Sequence, residues 1–179
     1  MPDLRIATLQ DARALAAVAE ETFRDTYGAQ NRPEDMDLHC LRCYGEALQA
    51  TELSDPDRVT LLCEADGGII AYAQLRWGPA PPCVKGRSPG EIQRFYVVRG
   101  WHGQGVAQAL MAASLEALQA RGTDVVWLSA WERNPRSLAF YRKAGFVEAG
   151  EQRFLIGTDL QRDLILARAI GEPLTGSAG

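Results

Sequence analysis

His102-Gly103-Gln104-Gly105-Val106-Ala107 is the stretch on which the fold turns. Ahead of it lies the strand-like run Glu91-Ile92-Gln93-Arg94-Phe95-Tyr96-Val97-Val98. After it, Val106, Leu110, Met111, Ser114, Leu115 and Leu118 recur at helical spacing. The order is therefore strand, glycine turn, helix start. Glycines let the main chain come close to a ligand, and the unpaired N–H groups of a first helical turn, backed by the helix dipole, favour an anion. A phosphate-bearing cofactor is the natural occupant. The turn has a second reading, tight packing of helix on strand, which needs no ligand. Two better-known phosphate loops are excluded: a Walker loop would end in Gly-Lys-Ser/Thr, and a dinucleotide fingerprint needs a small residue where Gln108 stands.

The same spacing resembles the acetyl-coenzyme A signature of the GNAT N-acetyltransferase superfamily: Gln or Arg, two residues, Gly, one residue, then Gly or Ala. His102 departs from the usual first residue, in a motif whose contacts run mainly through the backbone. About thirty residues on, Trp131-Glu132-Arg133-Asn134-Pro135-Arg136-Ser137-Leu138-Ala139-Phe140-Tyr141-Arg142-Lys143-Ala144-Gly145-Phe146 resembles the superfamily's second cofactor motif, in which an Asn caps a short helix and a Tyr projects from it. Local chemistry agrees, since Asn134 is a good N-cap, Pro135 suits the first helical position and Gly145 can end the helix. The resemblance covers nearly the whole chain. It implies an α/β (α+β) fold of the GNAT type, with a mixed central sheet of about seven strands, four main helices and splayed central parallel strands. Within the superfamily, Glu21-Thr22-Phe23-Arg24-Asp25-Thr26-Tyr27, Pro33-Glu34-Asp35-Met36 and Trp131-Glu132-Arg133-Asn134 look most like bacterial spermidine/spermine N-acetyltransferases.

Length and composition fit this picture. The 179 residues suit one ordinary domain, expected over 1–170, with a disordered tail from Gly171. No run of about eighteen apolar residues appears and the N-terminus lacks a secretory layout, so a cytoplasmic chain with no membrane partner and reduced cysteines is expected. Cys40-Leu41-Arg42-Cys43 beside His39 invites a metal, but Cys63 and Cys83 are isolated and no metal site is expected. The net charge of −4 and the absence of a basic stripe argue against a nucleic-acid partner. Strands are expected at residues 4–8, 59–65 and 69–77, the last two joined by the hairpin signal Asp66-Gly67-Gly68. Asp11 can cap a first helix, and a second helix is expected over about 34–53. The Pro- and Gly-rich stretch 78–90 reads as an exposed loop, long enough to fold over an acceptor. Two closing strands turn near Gly157-Thr158-Asp159.

The resemblance assigns roles. Acetyl-CoA would be the co-substrate, with pantetheine on the backbone of Phe95, Tyr96, Val97 and Val98 and the pyrophosphate on His102, Gly103, Gln104, Gly105, Val106 and Ala107. Asn134, Phe140, Tyr141 and Lys143 of the second motif would complete that side, where Arg136 and Arg142 also sit. The family reaction is direct attack by an amine, with no acyl-enzyme, so no cysteine nucleophile is required. Glu91 lies eleven residues before His102, the offset at which histone-acetyltransferase-type members carry a general base. Tyr141 would give the departing thiolate its proton. Plain alternatives exist for both: a solvated strand glutamate and a core tyrosine. Between residues 17 and 57, ten acids stand against Arg24, Arg32 and Arg42, which would draw in a small polycation if this region borders the acceptor pocket. The acceptor is thus expected to be a small-molecule amine, with protein or peptide N-acetylation and a non-catalytic acyl-CoA sensor as alternatives. Members of the superfamily often dimerise through sheet edges or closing strands, so a homodimer is compatible with the resemblance.

Overall fold

The computed structural model describes residues 2–171; the expected tail lies outside them from residue 172. Seven strands form one sheet: β1 (Asp3–Ile6), β2 (Arg58–Ala65), β3 (Gly68–Trp77), β4 (Pro89–Val97), β5 (Val125–Trp131), β6 (Val147–Ile156) and β7 (Asp159–Ala169). Their spatial order is β1-β2-β3-β4-β5-β7-β6, antiparallel throughout except between β4 and β5. Five helices cover the two faces: α1 (Ala12–Tyr27), α2 (Pro33–Cys43), α3 (Glu46–Ser54), α4 (Val106–Ala120) and α5 (Pro135–Lys143).

Period-two alternation along the strands separates two cores. Leu61 and Cys63 of β2, Ala71, Ala73 and Leu75 of β3, and Leu128 of β5 point to α4 and α5, where Leu110, Met111, Leu118 and Leu138 meet them. Leu62 and Tyr72 point the other way, to Leu15, Ala19 and Phe23 of α1 and Met36 and Cys40 of α2. A third, smaller cluster sets Val84 against Trp127 and Ile165.

Three local expectations are corrected. The single helix over 34–53 is two, so the described residues form five α-helices and not four. Tyr44 leaves helical geometry (φ −130°, ψ 28°) and buries its ring against Phe23, after which Gly45 starts α3 in a new direction. Asp11 does not cap α1. Its carboxylate accepts from the Thr8 N–H at 2.7 Å and from Arg5, whose guanidinium holds it well below the usual carboxylate range. The 78–90 stretch is not an exposed loop throughout. Val84 and Cys83 pack on β5 and β7, and the backbone N–H groups of Arg87 and Ser88 donate to Asp124 at 2.7 and 2.9 Å.

The functional geometry starts where β4 and β5 part. Their parallel pairing runs only through Pro89↔Val125, Gly90↔Val126 and Glu91↔Trp127. The register of β3 against β4 then slips by one, leaving Gln93 as a bulge residue. A bulge bends its strand and re-aims the following side chains. From there β4 stays with β3 up to Val97, while β5 stays with β7 up to Trp131. A wedge opens between them.

Candidate active site

A cleft of about 530 Å³ occupies the wedge. One side is the turn into α4. Gly103 and Gly105 have φ of +78° and +82°, a region that side chains with a Cβ avoid, and a Cβ built on either would meet nothing within 4 Å. Tight packing therefore does not explain these glycines; the left-handed turn does. Gly105 is the residue before α4, no side chain caps the helix, and no hydrogen bond among the described residues takes up the N–H groups of Gly103 to Gln108. That row of free donors fits a pyrophosphate. His102, the departure from the family pattern, places Nε2 at 2.7 Å from the carbonyl oxygen of Val97, and Gln104 Nε2 donates to Gly100 O at 2.8 Å. Both side chains brace the turn.

The opposite wall comes from α5. Asn134 Oδ1 accepts from the Ser137 N–H at 3.1 Å, Pro135 follows, and the Phe146 N–H donates to Tyr141 O at 3.0 Å beyond Gly145. The short helix is thus fixed at both ends. Phe140 stacks on Phe95 at 5.7 Å, and Tyr141 sits edge-on to Phe95 at 6.3 Å and to Phe146 at 6.1 Å. Burial pushes the Tyr141 phenol well above its ordinary value with no hydrogen-bond partner to offset it. It lines the cleft as a protonated donor.

Of the residues expected at the site, Phe95, Tyr96, Val97, His102, Gly103, Ala107, Asn134, Phe140 and Tyr141 line the cleft. Gln104, Gly105 and Val106 hold the turn without lining it, and Val98 turns into the α1 core. Lys143 is exposed away from the cleft and Arg142 pairs with Glu148; Arg136 and Arg99 are the cations on its rim. Glu91 stands apart. Its carboxylate is buried against Arg76, in a separate cavity of about 360 Å³ beside Trp127. Burial raises its pKa against the pull of that guanidinium. The reason is phase: Glu91 precedes the bulge, still within the paired part of β4.

A second cavity, about 420 Å³, adjoins the cleft on the α1/α2 face. The two share Tyr27, Gln93, Arg94, Tyr96, Ser129 and Trp131 as common walls. Trp131 is buried, yet borders both spaces and meets Tyr27 at 5.6 Å. Tyr44, Phe154, Gln161 and Asp163 line the far end. Arg94 is held under this floor by Glu52 at 2.6 Å, by Gln74, and by the face of Tyr44 at 5.3 Å. Arg58 reaches the bulged Gln93 at 2.6 Å. Removing one partner of a buried ion pair such as Arg94–Glu52 costs several kcal/mol, so the floor is rigid. Tyr27, whose phenol faces that of Tyr96, has its pKa pushed up to about 12 by burial. Of the ten acids that motivated a polycation funnel, none lines this cavity and only Asp25 lines the cleft. Asp35 instead binds Thr158 and Glu52 binds Arg94. Cys40 lies in the core with its thiol pushed up to about 11 by burial.

The sequence model of the acetyltransferase (GNAT) family matches residues 14–146, and the chain belongs to that family. An uncharacterized N-acetyltransferase of Mycobacterium tuberculosis is 32% identical over 162 residues, covering 90% of this chain and 99% of that one. A mycothiol acetyltransferase of Saccharomonospora viridis is 33% identical over 138 residues, 76% of this chain but 42% of that protein. Among solved structures, the PaiA N-acetyltransferase of Thermoplasma acidophilum in complex with coenzyme A superposes with a TM-score of 0.76 over 95% of this chain and 99% of that one, at 18% identity. The fold is the GNAT fold, and the protein is an N-acetyltransferase with acetyl-CoA as co-substrate.

Proposed function

We propose that the protein acetylates a small primary amine by direct attack in a ternary complex, with acetyl-CoA in the cleft and the amine in the adjoining cavity. One observation carries this reading: the two spaces meet at a single set of walls, where the parallel strands splay. Acetyl-CoA supplies the activated acetyl group. The free N–H row of Gly103 to Gln108 orients its pyrophosphate, and the β4 edge beyond Gln93, unpaired on the β5 side, offers backbone groups to pantetheine. Tyr141 holds a proton for the leaving sulfur. Burial suits it to that task, because a phenol kept protonated in a dry cleft can donate as negative charge develops on the thiolate. Glu91, buried against Arg76, lines neither of the two spaces, so the base is sought elsewhere.

The polyamine expectation loses the charge argument that supported it, since the acids of residues 17–57 do not line the cavity. Phe23, Tyr27, Tyr44, Tyr96, Trp131 and Phe154 line the cavity, and such a lining suits a compact organic amine better than a peptide backbone. The test is amine-dependent release of free thiol from acetyl-CoA, with mass spectrometry of the product. Transfer to a low-molecular-weight amine is expected. Transfer to peptide N-termini alone, or acetyl-CoA binding without transfer to any acceptor, would overturn the reading.

A further inference from the structure

The acceptor cavity contains two polar groups that nothing in the fold explains. Asp163 is 6% exposed, and among the described residues no Lys or Arg pairs with it; the nearby Ser129 side chain is the one polar group that favours its ionised form. Two residues back on the same strand face, Gln161 is 9% exposed, and its Oε1 has no hydrogen-bond partner. The orientation of that amide is set by its other end, where Nε2 donates to Asp159 at 2.8 Å and to Asn31. Buried polar atoms are almost always paired, so an acceptor oxygen left bare beside a bare carboxylate marks a place for a donor-rich ligand. Around them stand Tyr27, Tyr44, Tyr96, Trp131 and Phe154. Aromatic faces take both flat apolar groups and cations.

We propose that Asp163 and Gln161 form the ammonium site of the acceptor, that Asp163 is the proton acceptor of the reaction, and that the substrate class is an arylalkylamine. The proposal rests on the cleft being the acetyl-transfer site. Asp163 pairs in register with Trp131, and Trp131 and the nearby Ser129 both border the two cavities, so the carboxylate stands beside the walls that the two spaces share. Burial raises the Asp163 pKa to about 6. It is therefore ionised at neutral pH yet a stronger base than an exposed carboxylate. The atoms balance as follows. One N–H proton of the ammonium passes to Asp163 and on to water. The freed lone pair forms the C–N bond as the C–S bond breaks, and the sulfur takes the Tyr141 proton. The second N–H proton, lost from nitrogen as the amide forms, returns through water to the phenolate.

Several other titratable groups face the same space. They are Tyr27 from α1, His39, Arg42 and Cys43 from α2, Tyr44 beyond it, and Arg94 and Tyr96 from β4, with Glu132 just past the end of β5. Burial raises Tyr27, Cys43, Tyr44 and Tyr96 and lowers His39, so of the groups that burial shifts, His39 and Asp163 are the two whose titration falls near or below neutrality.

The experiment compares phenethylamine, spermidine and an alanyl peptide as acceptors for wild-type protein and for Asp163→Asn, Asp163→Glu, Glu91→Gln and His39→Gln. The readouts are thiol release against pH and calorimetric binding of acetyl-CoA. Phenethylamine should be preferred, and Asp163→Asn should lower kcat/KM about a hundredfold or more. That variant should also lose the acid limb of the profile and bind acetyl-CoA as before, with partial rescue by Asp163→Glu. Asp163→Asn activity within threefold of wild type, or an acid limb or base loss that follows His39 or Glu91 instead, would overturn the role of Asp163 while leaving the transfer site standing. Preference for spermidine or the peptide would overturn the arylalkylamine class. Bound acetyl-CoA with no thiol release from any acceptor would sink the transfer site, and this proposal with it.

Discussion

The two sides of the splay between β4 and β5 are built from different materials. The cofactor side is main chain: N–H groups of Gly103 to Gln108, an open β4 edge, and a short helix fixed by Asn134 and Gly145. The acceptor side is side chain, drawn from α1, the end of α2, β4, β5 and the β6–β7 hairpin. A backbone site asks few identities of its residues, which is why His102 can stand where a Gln or Arg is usual and still brace the turn. A side-chain site changes with each substitution. One fold can therefore keep its cofactor and vary its acceptor.

This contrast can be broken at four places. The largest expected effect is on stability, on the acceptor side. Asp163 has a folded-state pKa of about 6 against an ordinary value of about 3.9, so the native state favours the protonated form. Its stabilising contribution is complete below the ordinary value and is lost as pH rises through about 6. The ionised group then costs roughly 3 kcal/mol. Asp163→Asn should melt roughly 5–10 °C above wild type at pH 8, with the gap closing by pH 4. Equal melting curves at pH 8 would mean that the carboxylate is better solvated than its surroundings imply.

Next comes Tyr141→Phe, expected to lower kcat about a hundredfold with acetyl-CoA affinity within twofold, as read by steady-state kinetics and calorimetry. Unchanged kcat would remove the phenol from the mechanism. On the cofactor side, Gly105→Val forces a β-branched residue to φ near +82°, at a cost of about 1–2 kcal/mol, and turns the amide row. Acetyl-CoA should bind about tenfold more weakly, while the amine KM changes little. The converse belongs to Gly157→Ala. Gly157 has φ +59°, and a Cβ there would come within 2.3 Å of Asp35 Cα, at the contact where the hairpin tip meets α2. Thr158 bonds Asp35 Oδ1 through both its N–H and its hydroxyl at 2.7 Å. Pushing this tip away should raise the amine KM about fivefold and leave acetyl-CoA binding intact, since one weakened contact is worth about 1 kcal/mol. If both constants moved together in either variant, the two sides would not be independent.

Much of this molecule was legible in order along the chain. The glycine turn, the helix periodicity of α4, the Asn134 cap and the hairpin at Asp66-Gly67 are local features, and all appear as read. The break at Tyr44 was missed because it comes from a ring packing on Phe23, a contact between distant residues. The displacement of Glu91 was missed for a related reason. Its offset from His102 is counted along the chain, whereas the end of β4–β5 pairing and the bulge at Gln93 decide which side chains enter the wedge. Asp163 and Gln161 carried a faint signal, polar residues on the same strand phase as the buried Ile165, with nothing local to say what they face.

The sequence by itself determined the fold family, the cofactor and the turn proposed to receive it, because those depend on φ angles, caps and periodicities set within a few residues. Only the tertiary structure decided which carboxylate looks into the proposed acceptor cavity and which is sealed behind an arginine, because burial and partnership arise where β4, β5 and β7 diverge, between residues as far apart as Tyr27 and Asp163.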